Sequence, residues 1–248
     1  MPRCRSPDCI SVIHTGVTSD ASRFDLSMFN WPGIDYRDRS LLEQPAVVLA
    51  QCLQDAKRVS LGFLHWMQSE LEQVGDRRGY SNLLLRPDLM GTDDGLSKHP
   101  YIRESRRIRA LRTITEADVS VESQSGRYAR EFPDSVCIGW YPIDVRNSGA
   151  DDVGVSIRTR PFQIPLGALI PVGLDNLIAG AKNIGTTHVT NGCYRLHPAE
   201  WNIGEAAGLL AHFSLAARCR PEDVWRDPQR LGRYQDLLKG ESVTLSWE

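Results

Sequence analysis

With 248 residues, the chain is long enough for one large domain or two small ones around a substantial core. Its 41% hydrophobic and 24% charged residues are those of an ordinary soluble globular protein, and a formal net charge of −2 gives no argument for a nucleic-acid or membrane partner. No apolar run approaches a membrane span, and the six cysteines show neither C-x-x-C nor a Cys/His zinc spacing, so the reading is a cytoplasmic protein with reduced thiols and no metal. Arg3 and Arg5 precede no apolar core, so no signal peptide is read at the start.

Residues 1–45 mix Pro, Asp, Arg and Ser with scattered aromatics, and residues 11–13 fit a short strand. Residues 28–38 read as a loop because Pro32-Gly33 forbids regular structure; it is either a surface loop pinned by Trp31 and Tyr36 or part of a substrate pocket. Residues 45–74 give the clearest helix. Pro45 suits its first turn, Val48, Cys52, Ala56 and Val59 recur at helical spacing, and Gly75 supplies a stop. His65 inside it has no second ligand at metal spacing. Residues 79–100 have the Pro, Gly and Asp density of a connector, and Asp93-Asp94-Gly95 lacks the rest of a calcium loop.

Five arginines follow within ten residues: Arg103, Arg106, Arg107, Arg109 and Arg112. The acidic balance and the lack of an interleaved aromatic platform argue against a nucleic-acid binder. Ile108, Ala110 and Ile114 alternate with polar neighbours, so residues 107–114 are read as a strand with one wet face. Residues 115–118 resemble a helix start or a turn. Residues 136–145 are β-rich and broken by Pro142, and further strands are expected at 156–165 and 164–170. After Arg220 come a helix end, a helix around 230–238 and a short β-like tail at 243–247.

The organising stretch is 176–217, read as a short buried strand, a polar loop and a long helix. The strand Leu177-Ile178-Ala179 stops at Gly180. The helix opens at Pro198, whose missing N–H costs nothing in a first turn. Its free N–H groups and positive dipole end favour an anion or a carbonyl. Gly204 and Gly208 lie one turn apart, so that face is expected close to a sheet. On spacing alone, a ligand site at the edge of an α/β sheet and a plain strand-to-helix crossover stand equal.

The residues also resemble a known family. DNLIAG (175–180), Lys182, Ile184, Thr187-His188, Gly192, Arg195, Pro198 and GEAAG (204–208) are similar to the C-terminal flavin-binding motif of FAD-dependent oxidoreductases of the fumarate reductase flavoprotein type. YIRESRRI (101–108), FPDS (132–135), YPID (141–144) and IPLGALIP (164–171) come in that family's order. The likeness covers roughly residues 28–240. Lys182 stands where Arg is usual, and His197 and Glu200 depart from an apolar and a small polar residue.

The family begins with a strand–GxGxxG–helix unit for the FAD pyrophosphate, and no G-x-G-x-x-G occurs in this sequence. The resemblance therefore implies an α/β (α+β) chain with an incomplete FAD/NAD(P)-binding fold and an attached substrate-binding region. Residues 1–160 would be the substrate-binding region and 161–248 the C-terminal part of the FAD-binding domain. The implied reaction is hydride transfer between a small organic substrate and flavin, with FAD the cofactor and no covalent flavin attachment. His188 and Arg195 are the catalytic candidates; Arg103, Tyr141 and Asp144 lie on the substrate side. A structural ion pair of Arg103 with Glu104 or Asp144 is an equal reading of that arginine. Ala179, Gly180, Lys182, Asn183, Arg195, Pro198 and Ala199 would contact FAD. The alternative is a non-catalytic remnant or partner subunit, completed by a second chain carrying the glycine-rich unit or by self-association.

Overall fold

The computed structural model describes residues 11–12, 27–28, 32–73, 75, 77–104, 106–146 and 154–248. Ile13, Trp31 and residues 147–153 lie outside the described residues. The chain packs as two compact units, Met1–Tyr101 and Ile102–Glu248.

In the first unit, strands β1 (Ser11–Val12) and β2 (Ser27–Met28) pair antiparallel. Helix α1 (Ala46–Ser69) starts after Pro45, as its sequence suggests, and buries Cys52 and Met67. It ends five residues short of the expected boundary at Val74. The Glu70 N–H still reaches the Trp66 carbonyl, but the chain then folds back, so that the Gly79 N–H meets the Leu71 carbonyl at 2.8 Å and the Tyr80 N–H the Met67 carbonyl at 2.9 Å. Gly79 makes this return possible: its φ is +72°, and a Cβ there would sit 2.2 Å from the Gln68 carbonyl oxygen. The connector at 79–100 contains one short helix, α2 (Pro87–Met90), closed by Gly91 at φ +64°.

The second unit is built on two antiparallel pairings. Strand β3 (Ser135–Gly139) pairs with β6 (Phe162–Pro165), and β4 (Ile143–Val145) with β5 (Val155–Ile157). The β-rich run thus does break at Pro142. Helix α3 (Glu116–Val119) is capped by Thr115 and Asp118, as the TEAD sequence suggests. Helices α4 (His188–Tyr194), α5 (His197–Ala216), α6 (Pro221–Arg226) and α7 (Pro228–Gly240) complete the unit. The core closes around Phe162 and Tyr194, whose rings stack at 4.3 Å. Side chains tie the helices to it. Asn202 of α5 donates to the Ile138 carbonyl at 3.0 Å, and Tyr234 of α7 donates to the Ala206 carbonyl at 2.6 Å. Mixed helices and small sheets agree with an α/β class. Strands β3 and β6 of this unit lie on either side of residue 160.

Several local expectations are corrected. Residues 177–180 form no strand: Leu177 is 45% exposed, and Ala179 makes a single backbone bond, to the Leu169 carbonyl at 2.8 Å. Residues 107–114 also form no strand, although their alternation is real. Ala110 and Ile114 are buried and make only isolated bridges, to Pro171 and Thr186. Residues 166–168 are a 3-10 turn rather than a strand. The 243–247 tail is not a strand either; Ser135 Oγ donates to the Leu245 carbonyl at 2.6 Å and Trp247 Nε1 to the Phe162 carbonyl at 3.0 Å. The polar loop expected between Gly180 and Pro198 contains α4.

Two glycines decide how that segment packs. A Cβ at Gly185 would lie 2.4 Å from the Arg112 carbonyl oxygen, and one at Gly192 would lie 3.0 Å from both the Asp144 N and O atoms. Gly204 approaches the Gly180 carbonyl rather than a sheet, while Gly208 faces open space. Gly192→Ala is therefore expected to cost about 1–3 kcal/mol by overpacking. Gly208→Ala, in an exposed helix interior, should add about 0.5–1 kcal/mol. Urea midpoints of the two variants against the parent, at unchanged m, check both signs.

Candidate functional site

The site begins with a cap. Thr187 precedes α4, and its Oγ1 accepts the Thr190 N–H at 3.0 Å while Thr190 Oγ1 accepts the Thr187 N–H at 2.9 Å. Thr190 Oγ1 also donates to the Ile114 carbonyl at 2.8 Å, and Thr187 Oγ1 to Glu116 Oε1 at 2.8 Å. These bonds lock the entry of α4 onto the segment below it. Asn191 fixes the polar stretch before it, with Nδ2 donating to the Lys182 carbonyl at 2.7 Å. The helix then delivers Arg195, its C-cap residue, one position before Leu196, the N-cap of α5.

Arg195 turns inward. Its side chain is only 5% exposed, and its Nη2 donates to the Asp144 carbonyl at 3.2 Å and lies 3.5 Å from Asp144 Oδ2. Its Nε lies 3.7 Å from Glu104 Oε1. Arg103 joins from the other side: Nη2 donates to Asp144 Oδ2, and Nε lies 3.5 Å from Glu104 Oε1. The structure thus brings Arg103, Asp144 and Arg195 together. It adds Glu104, which sequence reasoning treated only as one of two ion-pair partners for Arg103; both partners are engaged. The formal charges of the four side chains cancel. Arg103 Nε, Glu104 Oε1 and Arg195 Nε are all buried without a hydrogen-bond partner.

The other candidates spread outward from this cluster. His188 is exposed at the first position of α4, so the seven-residue helix separates it from Arg195 by about 10 Å at 1.5 Å per residue. Tyr141 is half-buried, and its carbonyl accepts from Thr159 Oγ1 at 2.8 Å. Ala179 is buried and Gly180 exposed. The Lys182 N–H donates to Glu200 Oε1 at 3.2 Å, and the Asn183 carbonyl accepts the Ile108 N–H at 2.8 Å. Pro198 is exposed and Ala199 buried. Glu200 thus bonds the loop backbone. Leu196 supplies no side-chain cap, so no N-cap oxygen covers the first-turn N–H groups of α5. Glu104 and Asn191 were not among the candidates. A T-x-x-T spacing at 187–190 was the available signal for α4.

A family model described as FAD dependent oxidoreductase matches residues 8–237. The chain belongs to the FAD-dependent oxidoreductase family. No curated protein and no solved structure matches the chain. FAD is the cofactor that this family implies.

The residues present fit one end of FAD. Gly180 is open to solvent, with only the Ala207 Cβ, at 3.6 Å, near the position of an added Cβ. The uncapped α5 N-terminus offers backbone donors, and Arg195 Nε is a buried donor without an acceptor. Such donors suit the acceptor edge of a planar ring. For the pyrophosphate end, the sequence holds no G-x-G-x-x-G turn. Burial pushes the Cys193 thiol up, away from the thiolate that a nucleophile needs. Among the described residues, no helix is long and apolar enough to cross a membrane.

Arg195→Ala removes one member of a largely buried ion cluster and should lower stability by about 1–3 kcal/mol, below the fully buried figure because Asp144 and Glu104 keep water contact. His188→Ala, at an exposed position, should stay within about 0.5 kcal/mol. Chemical denaturation of both variants checks the ordering, and equal effects would contradict it.

Proposed function

We propose that this chain builds the flavin-ring end and the substrate side of an FAD-dependent oxidoreductase that moves hydride between a carbon centre of a small organic substrate and flavin N5. The observation that carries this is Arg195, buried immediately before the uncapped α5 helix, whose Nε makes no hydrogen bond and has only the Glu104 carboxylate near it, at 3.7 Å. Bound FAD would supply the two-electron chemistry. Arg195 and the first-turn N–H groups of α5 would stabilise negative charge on the pyrimidine side. Arg103, Tyr141 and Asp144 would face the substrate, and an imidazole nitrogen of His188, open to solvent, would exchange the proton. Ala179, Gly180, Lys182, Asn183, Pro198 and Ala199 would hold the ring.

The fumarate reductase type is part of the same reading. So are a substrate-side role for residues 1–160, a cofactor-side role for 161–248, and a cytoplasmic setting. A second reading has a specific support. The sequence lacks the glycine-rich turn, and Val172, Leu174, Leu177 and Trp201 leave large apolar side chains exposed in the second unit. In that reading the chain is a non-catalytic remnant, or a subunit that holds FAD only with a second chain or a second copy.

The test is the visible absorption spectrum of the purified chain after FAD is added and the excess removed. The proposal expects a retained flavin spectrum, weakened several-fold in Arg195→Ala and unchanged in His188→Ala. No retained flavin from a folded sample overturns the claim that this chain binds the ring by itself and favours the subunit reading.

A further inference from the structure

Helix α5 carries apolar residues on every side, the pattern of a helix covered all round. Ile203, Ala206, Leu210 and Phe213 do face the core. The opposite face stays in water. Trp201 is 77% and Leu215 81% exposed, and Glu205, Gly208 and His212 between them are exposed as well. Spacings of four, three, four and three residues keep these five in one stripe, about 21 Å long at 1.5 Å per residue. Single exposed apolar residues are ordinary on a surface; two this large at the ends of one helix stripe mark an interaction face.

The stripe is symmetric about its middle. Trp201 and Leu215 each stand seven residues from Gly208, and a Cβ at Gly208 would meet no atom within 4 Å. Glu205 stands three residues before Gly208, and His212 four after it. A two-fold axis through Gly208 therefore sets α5 antiparallel to α5 of a second copy. Glycine then meets glycine, where the two backbones can approach closely, and each Trp201 lies over Leu215 of the other copy. Glu205 and His212 of the other copy differ in height by about 1.5 Å, so their side chains reach each other. Both stand on the same side of the stripe, and the symmetry makes this contact twice. A charged Glu205 midway along the stripe disfavours a lipid surface as the occupant.

We propose that the outer face of α5 is a homodimer interface, an antiparallel helix pair crossing at Gly208, closed at its ends by Trp201 on Leu215 and in between by Glu205 with His212. One helix pair is small beside the roughly 1,600 Å² of a standard interface, so micromolar association is expected. The proposal rests on the reading above in which a second copy completes the chain, and names the face that copy occupies. The test contains no FAD. A monomer leaves flavin binding by a single chain standing, and a chain that retains no flavin leaves the dimer standing.

The experiment is sedimentation equilibrium of the full chain from about 1 to about 300 µM. The parent chain should pass from monomer to dimer mass across that range. Gly208→Gln puts a side chain at the crossing and should weaken dimerisation by about tenfold or more. The urea midpoint of its dilute samples should be kept or raised, since Gln is a better helix former than Gly. Glu205→Lys should weaken the dimer, and Glu205→Lys combined with His212→Glu should restore it, because the two-fold axis pairs those positions. A parent chain that stays monomeric throughout overturns the proposal and leaves the face to a different protein. A dimer of unchanged affinity in Gly208→Gln overturns its placement on α5. Should that variant fail to fold, Leu215→Glu, at an exposed position, takes its place with the same expected loss.

Discussion

Two backbone approaches with no room for a side chain hold the second unit in its arrangement. At Gly185 the chain passes against the Arg112 carbonyl and the Ala110 Cβ, and at Gly192 helix α4 lies against the backbone of Asp144. Between them, Thr187 and Thr190 bond each other, Ile114 and Glu116. These contacts set the direction of α4, and that direction sets where Arg195 emerges. Buried polar groups fully bonded in this way specify one packing. The sequence spends its small and short polar residues where backbones meet, and the large apolar residues Phe162, Ile164, Tyr194 and Ile203 fill the space around them.

The arginine cluster follows from that placement. Its members come from three separated parts of the chain: residues 103–104, β4 and the junction of α4 with α5. Ion pairs held partly out of water gain little net stability over apolar substitutes, because desolvation offsets the Coulomb attraction. Removing one partner is another matter, since it strands the others. A neutral cluster with unlike exposures and three unsatisfied buried atoms is therefore weak as a staple and suited to recognition. Its position directly before the uncapped end of a twenty-residue helix puts side-chain and backbone donors in one neighbourhood.

Much of this was legible in sequence, and the failures have physical causes. Pro45 and Pro198 announced α1 and α5 to within a residue, because proline tolerates few other helix positions. The break at Pro142 between β3 and β4 was equally readable. Apolar runs misled at 177–179 and 243–247, where burial comes from neighbouring elements and no strand lies alongside to pair with. The alternation at 107–114 gave the right burial and the wrong element, since its backbone bonds go to separate loops at Asn183, Gly167 and Ile170. Helix α4 was hidden by a composition of Asn, Thr and Gly that resembles a loop; reciprocal threonine caps and tertiary packing override that propensity. The meeting of Arg103, Asp144 and Arg195 could be guessed only from family resemblance. Glu104 gave no sign of binding both arginines, because that depends on the fold bringing residues ninety positions apart to one place.

The central claim is that the Arg195 end of α4 and the start of α5 face the flavin ring. A crystal structure of the chain with FAD, alone or with whatever second chain it requires, tests this most directly. The account predicts the ring's pyrimidine edge within hydrogen-bond reach, about 3.2 Å or less, of Arg195 or a first-turn N–H of α5. A ring seated elsewhere, with the arginine cluster remote from it, would contradict the account.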